Sequence, residues 1–358
     1  MDAARYPADP LARFTSDLLA AAGMEEEKAD TVARLLVTTD MLGRSTHGVA
    51  LAPLYVDQLE QGLMTPSGEP ECVRDGGSVV VWDGRYLPGL WLVRQALGIA
   101  FERVASHGVV TFAMRRSHHI ACLATLAKEA TDRGLLAILA TSDPAFGFVA
   151  PYGGREPLLT PNPFAIGYPG TKTPVLVDIC ASITTVSMTR QKAASGELFE
   201  HPWLLDNAGR PTRDPRVMEQ SEPRGSLLLL GGTEYGHKGF GLALMVEALT
   251  QGLSGLGRKD TEKRWGGNVF LQVLDPQAFA GRDAFLAQMD HLTGLCQANA
   301  PLREGVPVRM PGEQAERNIR QAQELGVPLA AATWQRLESA AGRYGLALPA
   351  RITREVGR

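Results

Sequence analysis

Two histidines stand in local sequences that suit proton transfer. His47 lies between Thr46 and Gly48, and Tyr55 follows at helical spacing. Imidazole gains or loses its proton near neutral pH, so it can serve the oxygen of a carbonyl whose carbon receives a hydride. Thr46 offers a hydroxyl that can orient the ring, and Gly48 permits close approach of a substrate. The alternative interpretation is a turn histidine with a structural role.

His119 is the second candidate, in the sequence Ser117-His118-His119 between a predicted strand and a predicted helix. We predict that Ser117 caps this helix at its N-terminus. The free amides and the positive end of the helix dipole then favour an anion or a cofactor dipole, and they keep His119 neutral. The alternative is a histidine pair that caps a surface helix.

Apolar periodicity predicts helical chain ends around a mixed α/β middle. We expect one helical domain formed by both termini, residues 1–75 plus 290–358, with a mixed α/β domain, residues 76–289, inserted between them. The first seventy residues are predicted to be helical. Beyond them, strands are predicted at 78–82, 108–113, 135–140, 164–167, 174–178 and 268–274, and helices at 120–133, 240–252, 313–325 and 328–344.

Glycine- and proline-rich segments mark places where the backbone can approach a ligand closely. They cover 150–154, 161–163 and 231–241, and Lys238 in the last of them is placed to meet a carboxylate or phosphate. None of these segments is a Gly-x-Gly-x-x-Gly after an early strand or a phosphate-binding loop that ends in Gly-Lys-Ser/Thr. A conventional Rossmann site is therefore not predicted.

Composition and charge exclude several classes of function. The chain has 358 residues and a formal net charge of -3, and no Lys/Arg block occurs, so we predict neither nucleic-acid nor membrane binding. The four cysteines form no Cys-x-x-Cys pair, which argues against a metal site and a disulfide framework. Free thiols and the lack of a signal-peptide pattern predict a cytoplasmic protein.

Six motifs, in this order, resemble the malate/L-lactate dehydrogenase family of the non-Rossmann type. Its other members include ureidoglycolate and sulfolactate dehydrogenases, diketogulonate reductases and Δ1-piperideine-2-carboxylate reductases. The likeness covers nearly the whole chain. The matching segments are Thr46-His47-Gly48-Val49 with Tyr55, Ser117–Ala121, Ala150–Gly154 with Pro161-Asn162-Pro163, Asp178–Ser182, Lys238–Leu242 and Pro311-Gly312-Glu313.

The resemblance implies a homodimer that binds NAD or NADP in a mixed-sheet, non-Rossmann domain. It also implies reduction of a 2-oxo acid or a cyclic imine, or the reverse reaction. Either histidine has been assigned the proton transfer within the family; we favour His47 as the donor, assisted by Thr46, with His119 polarising the substrate or positioning the nicotinamide. The cofactor-binding residues implied are Ile120, Ala121, Cys122, Asp178, Ile179, Cys180, Gly231, Arg309, Pro311, Gly312 and Glu313.

The substrate side departs from the family pattern at several positions. Leu51 stands where the family commonly carries an arginine for the substrate carboxylate, and leucine offers neither charge nor hydrogen bonds. Arg44, Arg116 and Lys238 are candidate replacements, and no aspartate after Ser182 is placed to orient His47. The predicted substrate-binding residues are Arg44, Leu51, Tyr55, Pro161, Asn162 and Lys238.

Two other interpretations stay open because of these departures. Imine reduction also needs a hydride and a proton donor, so a cyclic imine (ketimine) reductase is the first alternative. The second is a non-catalytic dinucleotide-binding homologue that lost its substrate anchor at Leu51. The coenzyme preference and the physiological direction do not follow from these residues.

Overall fold

A computed structural model describes residues 4–219, 223–260 and 264–352. Residues 1–3 and 353–358, the outermost parts of the two predicted helical ends, lie outside this description. The strands are β1 Ala4–Tyr6, β2 Glu71–Asp75, β3 Val79–Asp83, β4 Val109–Ser117, β5 Leu136–Ser142, β6 Pro163–Tyr168, β7 Val175–Cys180, β8 Leu204–Leu205, β9 Pro211–Thr212, β10 Ser226–Leu227, β11 Gly267–Leu274 and β12 Val327–Leu329. The helices are α1 Ala8–Ala21, α2 Glu26–Met41, α3 Ala52–Glu60, α4 Gly89–His107, α5 Leu123–Thr131, α6 Val186–Ser195, α7 Gly232–Glu247, α8 Arg282–Gln297, α9 Glu313–Leu325 and α10 Ala331–Gly342.

The N-terminal helices form where the apolar stripe of the sequence predicts them. Leu11, Phe14 and Leu18 recur at intervals of three or four residues and are buried along one side of α1. The same spacing buries Val32 and Leu36 on α2. Helix α1 packs on both α2 and α3, so these helices form one layer that leads into the loop around His47.

The centre of the fold is a seven-stranded mixed sheet in the order β2-β3-β4-β11-β5-β6-β7. Strands β3 and β4 are parallel, and the other neighbouring pairs are antiparallel. Strand β11 lies in the middle, and its Val269, Leu271 and Val273 are fully buried because the sheet is covered there. The six predicted strands are therefore confirmed, whereas β2 was missed because all five of its residues are exposed.

Helices α4 and α5 pack against this sheet. The sequence did not predict α4, although Trp91, Leu97 and Ala100 bury it in the main core. The predicted start of α5 was wrong: the helix begins at Leu123 rather than Ile120. Ser117 is the last residue of β4, and its hydroxyl donates to the carbonyl of His118 at 2.7 Å, so it does not cap the helix.

The two ends of the described chain meet in a short sheet. Strand β1 pairs antiparallel with β12, and the ring of Tyr6 stacks on Trp334 with a centroid distance of 4.2 Å. The predicted helix 328–344 is divided accordingly, into β12 and α10. One hydrophobic core contains residues of both ends and of the central sheet.

The mixed α/β fold class is confirmed by this arrangement. The boundaries of the two domains stay a prediction. A smaller sheet in the order β10-β8-β9 has a separate core that contains Phe199, Leu204 and Leu227. In the described part of the chain, no helix combines the length and apolar character needed to cross a membrane.

Candidate active site

The loop between α2 and α3 presents His47. The N–H of His47 donates to the carbonyl of Arg44 at 2.9 Å, which closes a tight turn. The imidazole is half-buried, and its Nδ1 lies 2.9 Å from the hydroxyl of Thr46. The Thr46 hydroxyl is therefore placed to orient the ring through Nδ1, which leaves Nε2 for a substrate.

Tyr55, on α3, fixes the ring of His119. The phenol oxygen lies 2.9 Å from Nδ1 of His119, and the tyrosine is buried. Burial raises the pKa of Tyr55, so the phenol keeps its proton and is able to donate it to Nδ1 of a neutral imidazole. The neutral imidazole then carries its own proton on Nε2, where it can donate to a ligand.

Burial is the first cause of the low proton affinity of His119. Burial lowers the pKa of His119 far below its ordinary value, and the neighbouring His47 and His118 lower it further. The expected field of a helix N-terminus is not the reason, because α5 begins four residues later, at Leu123. His119 is neutral, as predicted, for a different physical cause.

The two candidate histidines lie face to face. The ring centroids of His47 and His119 are 6.2 Å apart with an interplanar angle of 30°. The ring of Trp265 also stacks on His119, with ring centroids 5.0 Å apart and an interplanar angle of 26°. No sequence pattern pointed to Trp265, which lies shortly before the central strand β11.

His118 forms the floor beside this pair. Its ring is fully buried and contacts Tyr55 and Trp265 edge to face. Neither ring nitrogen has a hydrogen-bond partner in the described residues, and burial lowers the pKa of His118 to about 3. His118 therefore packs as a neutral aromatic side chain behind the two functional candidates.

A carboxylate influences His47 from across the site. Burial lowers the pKa of His47, the negative charge of Asp178 opposes this, and Arg44 lowers the pKa further. The Asp178 carboxylate also accepts the N–H of Ala124 at 3.0 Å, at the N-terminus of α5, and the Cys122 thiol at 3.4 Å. The sequence analysis predicted no aspartate partner for His47. The structure shows that Asp178, which was predicted to bind the cofactor, acts electrostatically on His47.

Several residues predicted to hold the cofactor gather along β7, an edge strand of the central sheet. Asp178, Ile179 and Cys180 end this strand, and Cys122 contacts Asp178 from the start of α5. At the other end of the strand, the N–H of Leu176 donates to the carbonyl of Pro311 at 3.1 Å. Ile120 and Ala121 are buried beside Cys122, Gly231 is exposed before α7, and Arg309 and Glu313 flank the start of α9.

Gly312 makes the close contact between α9 and β7 possible. Its φ is +101°, and a Cβ there would lie 2.8 Å from the carbonyl oxygen of Pro174 and 3.0 Å from the amide of Leu176. The exposed Arg309 and the N-terminus of α9 therefore stand directly against the edge of the sheet. A cation and a helix N-terminus suit a phosphate, so this strip fits a dinucleotide.

The predicted substrate residues are dispersed. Arg44 is exposed on the loop of His47, Leu51 is half-buried against the main core, and Tyr55 bonds His119. Asn162 is fully buried with its amide donating to the carbonyl of Ala243 and to Glu247. The remaining two are Pro161, whose carbonyl accepts from Ala181, and Lys238, which lies over the ring of Tyr235 on α7.

Comparison with known proteins identifies the family. A sequence profile described as malate/L-lactate dehydrogenase matches residues 6–338. L-lactate dehydrogenase from Cupriavidus necator is 32% identical over 344 residues, which cover 94% of this chain and 97% of that enzyme. Hydroxycarboxylate dehydrogenase B from Escherichia coli K12 is 30% identical over 349 residues, which cover 96% of this chain and 95% of that enzyme.

Solved structures with the same fold agree with this assignment. Malate dehydrogenase from Pyrococcus horikoshii has a TM-score of 0.85 and 25% identity, and the match covers 96% of each chain. Δ1-piperideine-2-carboxylate reductase from Pseudomonas syringae has a TM-score of 0.79 and 26% identity, covering 94% of this chain and 99% of that one. The resemblance inferred from the motifs is confirmed: the chain belongs to the malate/L-lactate dehydrogenase family and is an oxidoreductase.

Proposed function

We propose that the protein transfers a hydride between a nicotinamide cofactor and the C2 carbon of a 2-oxo or 2-hydroxy acid. The observation that carries this proposal is the facing pair His47 and His119, whose rings lie 6.2 Å apart and are held by Thr46 and Tyr55. Relatives named as lactate and hydroxycarboxylate dehydrogenases support the substrate class.

In this proposal His47 transfers the proton. Reduction of a carbonyl needs a proton at the oxygen, and the ring must therefore be charged before the step. The carboxylate of Asp178 favours the charged form of His47. Among the described residues no carboxylate acts in this way on His119, and burial holds its pKa far below the ordinary value. Thr46 accepts the Nδ1 proton of charged His47, so the transferred proton leaves from Nε2.

His119 polarises the substrate in the same proposal. Because Tyr55 donates to Nδ1, the neutral ring presents an N–H at Nε2 towards the site. A hydrogen bond from this N–H to the carbonyl oxygen withdraws electron density from C2 and holds the oxygen near His47. Stacking on Trp265 keeps the His119 ring from rotating.

The cofactor is NAD or NADP, placed along β7 and the start of α9. When bound, the nicotinamide supplies or accepts the hydride. Arg309 and the N-terminus of α9 would hold phosphate, and the chain segments at 120–122, 178–180, 231 and 309–313 would line the nucleotide. The contact of Gly312 with β7 supports this placement because it brings the two segments together.

We propose Arg44 as the anchor for the substrate carboxylate in place of Leu51. Arg44 and His47 are joined by one turn, and the charge of Arg44 acts on His47. Arg116, by contrast, is engaged in an ion pair with the buried Asp83. Arg44 is exposed, and in the described ranges its guanidinium makes no hydrogen bond or ion pair.

We further propose that the protein acts as a cytoplasmic homodimer on a small molecule. An exposed apolar stripe runs along the C-terminal half of α7 and the helical turn that continues it. This stripe, called the α7 face, consists of Leu244, Met245, Ala248 and Leu253 with the small residues Gly241 and Gly252. Monomeric proteins rarely expose a contiguous apolar stripe, and a two-fold axis brings the same stripe of a second copy against it. Glycines within the stripe permit close approach of the two helices.

A cyclic imine reductase is the second candidate. The match to Δ1-piperideine-2-carboxylate reductase and the replacement at Leu51 favour it. A non-catalytic dinucleotide-binding protein is disfavoured, because both histidines keep specific orienting partners in Thr46 and Tyr55.

The test is oxidation of NADH and NADPH by the purified protein with a panel of 2-oxo acids and cyclic imines. Turnover with a 2-oxo acid supports the first candidate, and turnover with cyclic imines alone supports the second. Fluorescence quenching by the cofactor without turnover on any compound would favour the binding protein.

A further inference from the structure

A buried carboxyl lies directly beneath the loop that carries His47. Asp40, in the last turn of α2, is 4% exposed. Its Oδ2 accepts the N–H of Val49 at 2.7 Å, and its backbone carbonyl accepts the N–H of Gly43 at 2.9 Å. One residue therefore holds the chain on both sides of His47.

The glycine after His47 is explained by this carboxyl. A Cβ on Gly48 would overlap the carboxyl carbon and both carboxyl oxygens of Asp40. The φ of Gly48 is -89°, outside the left-handed region that favours glycine, and its ψ is -144°. Residue 48 must lack a side chain because its Cα rests on the Asp40 carboxyl.

Asp40 is costly where it lies, which argues for a role beyond packing. Its Oδ1 has no hydrogen-bond partner among the described residues. A buried polar atom without a hydrogen-bond partner destabilises the folded state. An apolar side chain would avoid this cost but would leave the Val49 amide without its acceptor.

The loop is also held from the C-terminal part of the chain. Asn318 on α9 donates its amide to the carbonyl of Leu42 at 3.1 Å and packs against Gly43. Asp40 and Asn318 thus act from opposite sides on the loop. Of these two residues, it is Asp40 that contacts Gly48, the neighbour of His47.

We propose that Asp40 is the positioning residue of His47: its carboxyl, pressed against Gly48 and bonded to Val49, sets where the imidazole stands relative to His119. The inference rests on the proposed function, in which His47 transfers the proton. Positional errors of about 1 Å at a reacting group can lower rates on the order of a hundredfold. The effect of losing Asp40 is therefore expected in turnover rather than in binding.

The experiment compares Asp40→Ala, which removes the acceptor for Val49, with Asp40→Asn, which keeps one. We expect Asp40→Ala to lower kcat about tenfold or more, with KM and cofactor affinity within about twofold of the wild type. Asp40→Asn should keep most of kcat. Thr39→Val is the matched control, because Thr39 is equally buried on the same turn and its hydroxyl bonds Leu35 and Thr125 instead.

A second comparison uses the contact with Gly48. Gly48→Ala should lower kcat because the new methyl group meets the carboxyl. In the double variant Asp40→Ala/Gly48→Ala the overlap is gone, so the second substitution should add little to the loss caused by the first. Additive losses would contradict the contact.

Histidine NMR separates this inference from the proposed function. The ring signals of His47 should shift in Asp40→Ala and stay unchanged in Thr39→Val, whether or not a substrate is known. Unshifted His47 signals, or wild-type kcat in folded Asp40→Ala, would overturn the positioning role. If no compound is turned over by the wild type, the proposed function fails while the NMR comparison still decides the role of Asp40.

Discussion

At the scale of residues, two imidazoles in one site differ in what they can do. Tyr55 fixes the proton of His119 on Nε2, and burial keeps that ring neutral. His47 feels an opposing carboxylate, Asp178, and a hydroxyl partner, Thr46. In the proposed function, these environments make His119 the hydrogen-bond donor to the substrate and His47 the proton donor.

His47→Ala is expected to lower kcat by about a hundredfold or more, because a general acid typically contributes that much. Cofactor affinity, measured by fluorescence quenching, should stay close to that of the wild type. His107→Ala, at the exposed end of α4, controls for loss of an imidazole elsewhere. Unchanged turnover in His47→Ala would remove His47 from the mechanism.

The pH dependence of the two directions should be opposite. In the proposed function reduction needs charged His47, and burial lowers the pKa of His47 below its ordinary value of 6.5. As pH rises through that lowered pKa, kcat/KM for reduction should fall and kcat/KM for oxidation should rise. The measurement is initial rate against pH in each direction; a parallel rise or fall would contradict the assignment.

Arg44→Gln is expected to raise KM for a 2-oxo acid about tenfold or more, because the charged contact to the carboxylate is lost. Arg13→Gln, an exposed arginine on α1, is the matched control. Leu51→Arg should restore affinity in the Arg44→Gln background if Arg44 has taken over that role. A change in cofactor affinity with unchanged KM would instead place Arg44 at a cofactor phosphate.

At the scale of elements, the strands and the N-terminal helices followed from local patterns, whereas the site did not. Apolar runs and alternation predicted β3, β4, β5 and β11, but nothing in their spacing placed β11 between β4 and β5. Tyr55 meets His119 across 64 positions of sequence, a separation that local spacing does not bridge. The motif matches identified the candidate site residues, whereas their contact partners, such as Trp265 beside His119, became visible only in the fold.

Asp40 is a residue of the site region that the sequence pattern could have indicated, although it was not predicted. It follows Leu36 by four residues on the buried side of α2, where an acidic residue breaks the apolar stripe. Trp265 and His118 carried no comparable signal, because a tryptophan or histidine near a strand is ordinary core material.

The α7 face provides a prediction for assembly. Leu244→Glu places a charge in the exposed apolar stripe, so we expect the proposed dimer to dissociate to monomers in light scattering after gel filtration. Val73→Glu, on the exposed strand β2, adds the same charge outside the stripe and should leave the dimer intact. Dimers that persist in Leu244→Glu would move the interface to another surface.

At the scale of the whole molecule, the buried carboxyl of Asp40 links stability to pH. Burial raises the pKa of Asp40 to about 8, opposed by the Val49 amide, whereas the ordinary value is 3.8. The folded state then keeps a proton that the unfolded state releases. The contribution of this group to the free energy of unfolding therefore decreases as pH rises from about 4 to about 8.

Asp40→Asn should remove that slope, so its stability relative to the wild type should increase between pH 4 and pH 8. Denaturation midpoints of both proteins across this range provide the measurement. Asp17→Asn, an exposed position on α1, controls for the general effect of one lost charge. Parallel profiles for the wild type and Asp40→Asn would show that Asp40 is ionised throughout.

The pairing of β1 with β12 has a consequence for how the protein is made. The ribosome releases Tyr6 long before Val327 and Trp334, yet these residues pair and stack in the finished fold. The N-terminal helices that flank His47 can therefore complete their packing only after nearly the whole chain has been synthesised. A message cut short before Val327 would yield a protein that lacks this closure, so nascent chains at that stage are natural clients for chaperones.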